Sequence, residues 1–216
     1  MATSSAVTGV YAIADTGCIA PDHFTESVQK AIAGGAAIVQ YRDKHFSQGA
    51  ETRALELSRL CQAHRVPLII NDDPYLAARL GAAGVHLGRD DPGLEQARKL
   101  LGPQAIIGVS CYNELDRALA AEADGADYVA FGSFYPSPTK PTAVRATLEL
   151  LRAARGQLRL PMVAIGGITP ENGAALIAAG ADVLAVIHGV FAQPDIERAT
   201  RRYVALFARA DEQDEQ

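Results

Sequence analysis

The chain has 216 residues, with Lys+Arg 20 against Asp+Glu 25 and a formal net charge of −5. Proteins that live on nucleic acid or anionic membrane normally carry the opposite balance, so both classes are disfavoured. The length suffices for a full hydrophobic core, and three scattered cysteines (Cys18, Cys61, Cys111) suit neither a disulfide framework nor a zinc cluster.

Met1 to Thr8 lacks the basic start and apolar stretch of a signal peptide. No apolar run approaches the roughly 20 residues of a membrane span, so a cytoplasmic protein is expected. In chain order the apolar, β-branched runs predict strands at Val10–Asp15, Ile38–Arg42, Leu68–Asn71, Gly84–Gly88, Ile106–Ser110, Tyr128–Phe131, Met162–Gly166 and Val183–Ile187. Most are continuous rather than alternating, as expected of strands covered on both faces. Alanine-rich stretches lie between them, 40 alanines in all. Helical stripes are predicted at Leu94/Ala97/Leu101, at Val144/Leu148/Leu151 and at Ile196/Ala199/Tyr203/Leu206.

Strand–helix alternation implies parallel strands joined by crossover helices. Eight such units in this length fit a single (β/α)8 TIM barrel near the short limit of that fold. The rival doubly wound sheet lacks its usual G-x-G-x-x-G after the first strand. An internal echo supports a repeated unit: Gly125-Ala126-Asp127-Tyr128-Val129-Ala130 against Gly180-Ala181-Asp182-Val183-Leu184-Ala185. The barrel is expected over 10–210, between an N-terminal extension (1–9) and a frayed acidic tail, Asp211–Gln216.

Barrels of this kind carry their chemistry at the carboxyl ends of the strands. The second strand ends in Gln40-Tyr41-Arg42-Asp43-Lys44, where the period of two puts 40, 42 and 44 on one face. One of only four lysines sits here. It could be a solvated strand end; charges aimed into a barrel argue instead for a cationic clamp on a phosphorylated substrate. The third strand runs into Asn71-Asp72-Asp73-Pro74 and the fourth into Gly88-Arg89-Asp90-Asp91-Pro92. Helix capping accounts for one acid before each proline. The leftover carboxylates suit Mg2+, which takes one or two of them and fills its shell with phosphate and water.

Ser110 ends the fifth strand, either as a hydroxyl donor or as the cap of the next helix. The long Gly132–Pro141 segment holds Ser137, Pro138, Thr139 and Lys140 and is expected to be a functional lid or binding loop, since a stiff surface connection would not require Lys140. Gly166-Gly167 after the seventh strand and Ile187-His188-Gly189 after the eighth suit a backbone phosphate site. Two anion sites suggest two phosphorylated substrates, or one long one. His86 is expected to pack inside the barrel; His23, His45 and His64 should lie at the surface.

Gln-x-Arg-x-Lys (40–44), Asn-Asp-Asp (71–73), Val-His-Leu-Gly-x-x-Asp (85–91), Gly-x-Ser (108–110), Pro-Thr-Lys (138–140) and Gly-Gly-Ile (166–168) together resemble the thiamine phosphate synthase family, from about Tyr11 to Phe191. The resemblance implies a transferase that joins 4-amino-2-methyl-5-hydroxymethylpyrimidine diphosphate to hydroxyethylthiazole phosphate, releasing diphosphate. It implies that Gln40, Arg42, Lys44, Asn71, Ser110 and Lys140 hold the pyrimidine diphosphate, with Tyr41 and Asp43 in the same segment. Arg42, Lys44 and Lys140 would be the catalytic charges. Asp72 and Asp91 would bind Mg2+; counting from the proline favours Asp90, but the family motif favours Asp91. Ser137, Pro138, Thr139, Gly167, Ile187 and His188 would surround the thiazole phosphate. The chain departs from the family pattern at Ala83, Arg89, Ser133 and Ile187-His188. Rival readings are a thiazole tautomerase, a lysine Schiff-base aldolase and a non-catalytic phosphate-ligand sensor. Alanine-rich outer helices suit solvent or a homo-oligomer interface equally.

Overall fold

The computed structural model describes residues 7–45, 48–137, 142 and 144–214, with side chains up to residue 208. Eight parallel strands close into a barrel in sequence order: β1 (Gly9–Asp15), β2 (Ile38–Arg42), β3 (Leu68–Asn71), β4 (Gly84–Leu87), β5 (Ile106–Tyr112), β6 (Tyr128–Gly132), β7 (Met162–Ile165) and β8 (Val183–Val186). β8 pairs back onto β1, with Val10 opposite Leu184. The predicted strand ends shift by one or two residues; the largest change is at β5, which runs on past Ser110 through a bulge to Tyr112.

Helices cover the outside: α1 (Phe24–Ala33), α2 (Ala50–His64), α3 (Pro74–Leu80), α4 (Leu94–Leu101), α5 (Leu115–Ala123), α6 (Leu148–Arg155), α7 (Gly173–Ala178), α8 (His188–Phe191) and α9 (Ile196–Asp214). α8 is a short turn beyond the eight expected helices. α9 carries the chain through Asp211–Asp214, so this part of the acidic tail is helical rather than frayed. The stripe predicted from Val144 also needs correction. α6 starts only at Leu148, capped by the Thr147 hydroxyl, and Val144 is exposed in the preceding segment. Among the described residues no helix is long and apolar enough to cross a membrane.

Two apolar layers explain why the strands read as continuous runs. Val10, Ala12, Val39, Tyr41, Leu68, Ile70, Val85, Ile107 and Leu184 face the helices. Tyr11, Ile13, Ile38, Ile69, Tyr128, Ala130, Val163, Val183 and Ala185 fill the barrel. Small residues make room for the large ones: a side chain at Gly108 would run into the Tyr128 ring. Following the inner series upward, each strand places one residue at the mouth: Asp15, Arg42, Asn71, Ser110, Gly132 and Ile165 on their strands, and Gly88 and Ile187 just past β4 and β8.

At the opposite end the echoed segments perform the same task twice. Asp127 accepts the Ile107 N–H at 2.7 Å and pairs with Arg98 from α4. Asp182 accepts the Met162 N–H at 2.7 Å and pairs with Arg155 from α6. In both, a glycine with φ near +90 to +110 ends the helix beforehand (Gly125 at 87°, Gly180 at 110°), a conformation that costs glycine little.

Candidate active site

The mouth of the barrel opens into a cavity of about 680 Å³, reached by side chains from every strand except β1's tip and floored by Tyr11, Ile13, Ala130 and Val163. Gln40, Arg42, Lys44, Asn71, Asp72, Asp91, Ser110, Ser137, Gly167, Ile187 and His188 all line it. Tyr41 and Asp43 do not. Tyr41 is buried on the helix side, edge-on to Phe24, with its hydroxyl bonded to the Ala50 carbonyl and to Asp43. Asp43 pairs with Arg53 of α2 at 3.5 Å. Both belong to the outer series of β2 and its continuation, so the period of two turns them away from the cavity. They line instead a smaller neighbouring cavity that shares Lys44, Asn71, Asp72 and Asp91 with the mouth. Pro138, Thr139 and Lys140 lie outside the described residues.

On the β2–β4 side the charges are interlocked. Arg42 forms an ion pair with Asp15, whose carboxylate is only 6% exposed and also accepts the Gly17 N–H at 2.7 Å. A carboxylate held on two sides fixes the guanidinium beside it. Asp15 thus shapes the clamp, although its apolar strand had drawn no notice. Its signal was available: an acid ending the inner series of β1, opposite Arg42 in register. Lys44 forms an ion pair with Asp72.

Asp72 has φ of +65°, in the left-handed region where non-glycine residues cost about 1 to 2 kcal/mol. Its N–H is held by the His86 carbonyl at 2.8 Å, and the next residue, Asp73, caps α3 through the Tyr75 and Leu76 N–H groups. Capping therefore uses Asp73 and leaves Asp72 for the cavity. Across the gap Asp91 accepts the Gly88 N–H at 2.6 Å, while Asp90 is exposed and α4 is capped by Gly93. Burial pushes the Asp91 carboxyl up, opposed by the Gly88 hydrogen bond; the neighbouring Asp72 carboxylate raises it further and Lys44 lowers it. Two carboxylates close enough to disturb each other are a pair that a divalent cation would relieve. Among the described residues no group of three or more His, Cys, Asp or Glu is built for a metal. Two carboxylates facing one gap are a donor set that fits the requirements of Mg2+, which takes few protein ligands and fills its shell with phosphate and water.

Ser110 does not cap the next helix, whose cap is Glu114. Its hydroxyl lies 2.8 Å from His86 Nε2, so His86 is both packed in the barrel and part of the cavity wall. At the rim Arg89 sits 4.9 Å from the centroid of the Tyr112 ring and pairs with Glu114.

The β6–β8 side is built from backbone. Gly166 (φ +103°) and Gly167 (φ +62°) turn the chain against the 133–136 segment; Tyr135 N–H bonds the Gly166 carbonyl at 2.9 Å. A Cβ on Gly167 would strike the Pro136 carbonyl oxygen, and one on Gly166 the Ser133 hydroxyl. Only glycine fits both. Ile187 and His188 close this side, and Gly189 leaves room for the Tyr203 hydroxyl, which bonds the Ile168 carbonyl at 2.9 Å. The arrangement offers charged side chains on one wall and close-approach backbone on the other.

A family model described as thiamine monophosphate synthase matches residues 10–190. A thiamine-phosphate synthase of Nitrosococcus oceani is 54% identical over 203 residues, covering 93% of each chain. Another, from Thiobacillus denitrificans, is 52% identical over 208 residues, or 95% of this chain and 97% of its own. Among solved structures, a thiamine phosphate pyrophosphorylase from Pyrococcus furiosus superposes with a TM-score of 0.83 at 32% identity, covering 94% of this chain and 96% of that one. With that match over nearly the whole barrel, the chain belongs to the thiamine monophosphate synthase family.

Proposed function

We propose that the cavity joins 4-amino-2-methyl-5-hydroxymethylpyrimidine diphosphate to hydroxyethylthiazole phosphate, giving thiamine phosphate and diphosphate. The observation that carries this reading is the two-sided mouth. Arg42, Lys44, Asp72 and Asp91 meet on one wall, and the Gly166-Gly167 turn faces them from the other. A tautomerase or a sensor for the thiazole alone would have no use for the first wall.

Gln40, Asn71 and Ser110 hold the pyrimidine end, and Arg42 and Lys44 take the diphosphate; the family resemblance adds Lys140. Asp72 and Asp91 would hold Mg2+, which when bound neutralises charge on the leaving diphosphate. The carbon–oxygen bond to diphosphate breaks first, leaving a pyrimidinylmethyl cation stabilised by the ring amino group. The thiazole nitrogen then attacks that carbon. No strong base is required. The residues' work is to stabilise the charge that develops on the leaving group and to hold the nucleophile near. Ser137, Gly167, Ile187 and His188, with Pro138 and Thr139 from the resemblance, surround the thiazole phosphate. Three unpaired thiols, Cys18, Cys61 and Cys111, suit a reducing cytoplasm.

The test is diphosphate release with both substrates, with and without Mg2+. Release that needs both partners and the metal, with thiamine phosphate formed in equal amount, supports the reading. Thermal stabilisation by thiazole phosphate without any release would replace it with a tautomerase or sensor.

A further inference from the structure

A continuous line of polar groups crosses the interior of the barrel beneath the cavity. Gln40 Nε2 donates to the Tyr11 hydroxyl at 2.8 Å, and the Tyr11 and Tyr128 hydroxyls are 3.0 Å apart. The Tyr128 hydroxyl is 3.0 Å from His86 Nδ1, and His86 Nε2 is 2.8 Å from the Ser110 hydroxyl. Tyr11 and Tyr128 are each at most 1% exposed, so water does not complete their bonding. The His86 ring stacks on Tyr128 with centroids 5.6 Å apart and planes 15° from parallel, which holds both nitrogens on these partners.

We propose that this line runs one way and makes His86 a positioning residue. The Tyr11 oxygen receives the Gln40 amide hydrogen, and an amide nitrogen cannot accept in return. Among the described residues, the Tyr128 oxygen at 3.0 Å is the acceptor placed for its own hydrogen. Tyr128 must then pass its hydrogen to its other partner, His86 Nδ1. A ring nitrogen that accepts carries no proton, so His86 is the neutral Nε2–H form. That Nε2–H points at Ser110, whose oxygen accepts it. The serine hydrogen is thereby turned out of the line and into the cavity as a donor. At the far end Gln40 spends an N–H on Tyr11 and keeps its carbonyl oxygen as an acceptor. The cavity therefore meets its ligand with one acceptor and one donor whose senses are fixed together. Burial also pushes both tyrosine hydroxyls well above the ordinary tyrosine range, so neither ionises and the line keeps its hydrogens.

The consequence for turnover rests on the proposed reaction, but the ring form does not, so the two can fail separately. In the ligand-free chain with 15N-labelled histidine, near neutral pH, long-range proton–nitrogen spectra are expected to show His86 with Nε2 protonated and Nδ1 bare. The resonance is assigned by its loss in His86→Gln. A protonated Nδ1, alone or with Nε2, overturns the proposal. Tyr128→Phe keeps the ring and removes one hydroxyl. It should lower kcat/KM for the pyrimidine diphosphate by about threefold to tenfold, the worth of one hydrogen bond. The KM for thiazole phosphate should stay the same. A purely structural role would cost as much in any background. In Ser110→Ala, however, the same change should cost less than about twofold, because the group it acts through is gone. Equal losses in both backgrounds, or no loss with Ser110 present, overturn the proposal. If Tyr128→Phe does not fold, Tyr11→Phe cuts the line one bond earlier and is read the same way. A chain that never releases diphosphate sinks the proposed reaction and leaves the ring form readable.

Discussion

The two walls of the mouth handle charge in different ways. On the β2–β4 side, long side chains are held by opposite charges: Arg42 by Asp15, Lys44 by Asp72, with Asp91 close by. On the β6–β8 side the turn at Gly166 and Gly167 has no side chains of its own and brings backbone close to whatever enters. The first wall works by charge and tolerates small shifts of a flexible side chain. The second works by shape, and one methyl group is enough to spoil it.

Substitutions can separate the walls. The largest effect is expected from Asp72→Ala, which should lower kcat by about 100- to 1,000-fold, as loss of one preorganised charge does. The KM for thiazole phosphate should move little. Wild-type kcat at saturating substrates and Mg2+ would show that Asp72 has no part in the chemistry. Next is Gly167→Ala. The backbone strain of about 1 to 3 kcal/mol should raise the KM for thiazole phosphate by about ten- to 100-fold and spare that for the pyrimidine diphosphate. If both KM values rose together, the walls would not be independent.

Asp15→Asn comes third. It removes the charge that fixes Arg42 and should raise the KM for the pyrimidine diphosphate by about threefold to tenfold, the difference between a charged hydrogen bond and the neutral one that asparagine keeps. A lower melting temperature is expected too, since the pair is nearly buried. An unchanged KM would mean that Arg42 finds its place without help. The smallest effect is expected from His188→Ser, less than about twofold on either KM, if the β6–β8 wall works through backbone rather than this side chain. A larger change would bring a side chain into that wall.

The sequence revealed the barrel because its strands face apolar layers on both sides, and eight separate runs such as Leu68–Asn71 stand out between alanine-rich helices. It revealed the charged wall for the same reason that it could not separate Tyr41 and Asp43, which stay outside the main cavity, from Arg42 and Lys44, which line it. Residue type says which side chains can do chemistry, and only the inner or outer parity of the strand says which ones reach it. Asp15 was missed because its partner comes from the next strand, and register is set by pairing rather than by local pattern. Counting back to a proline does not tell Asp90 from Asp91; their difference in the structure comes from the Gly88 N–H, which draws Asp91 inward and leaves Asp90 exposed. Val144 fits a helical period but falls before the Thr147 cap, where the chain is still crossing from the mouth.

The paired fastenings beneath the barrel bear on how such a protein can change over time. Arg98 with Asp127 and Arg155 with Asp182 lock neighbouring strands by the same local rule, using only residues remote from the mouth. Neither fastening needs to know what the loops above it contain. A lineage carrying this scaffold can exchange loops, lose a charge or widen a turn at the open end while inheritance keeps the floor intact. Mutational tolerance should therefore divide by height along the barrel axis: altered specificity at the top, failed expression at the bottom.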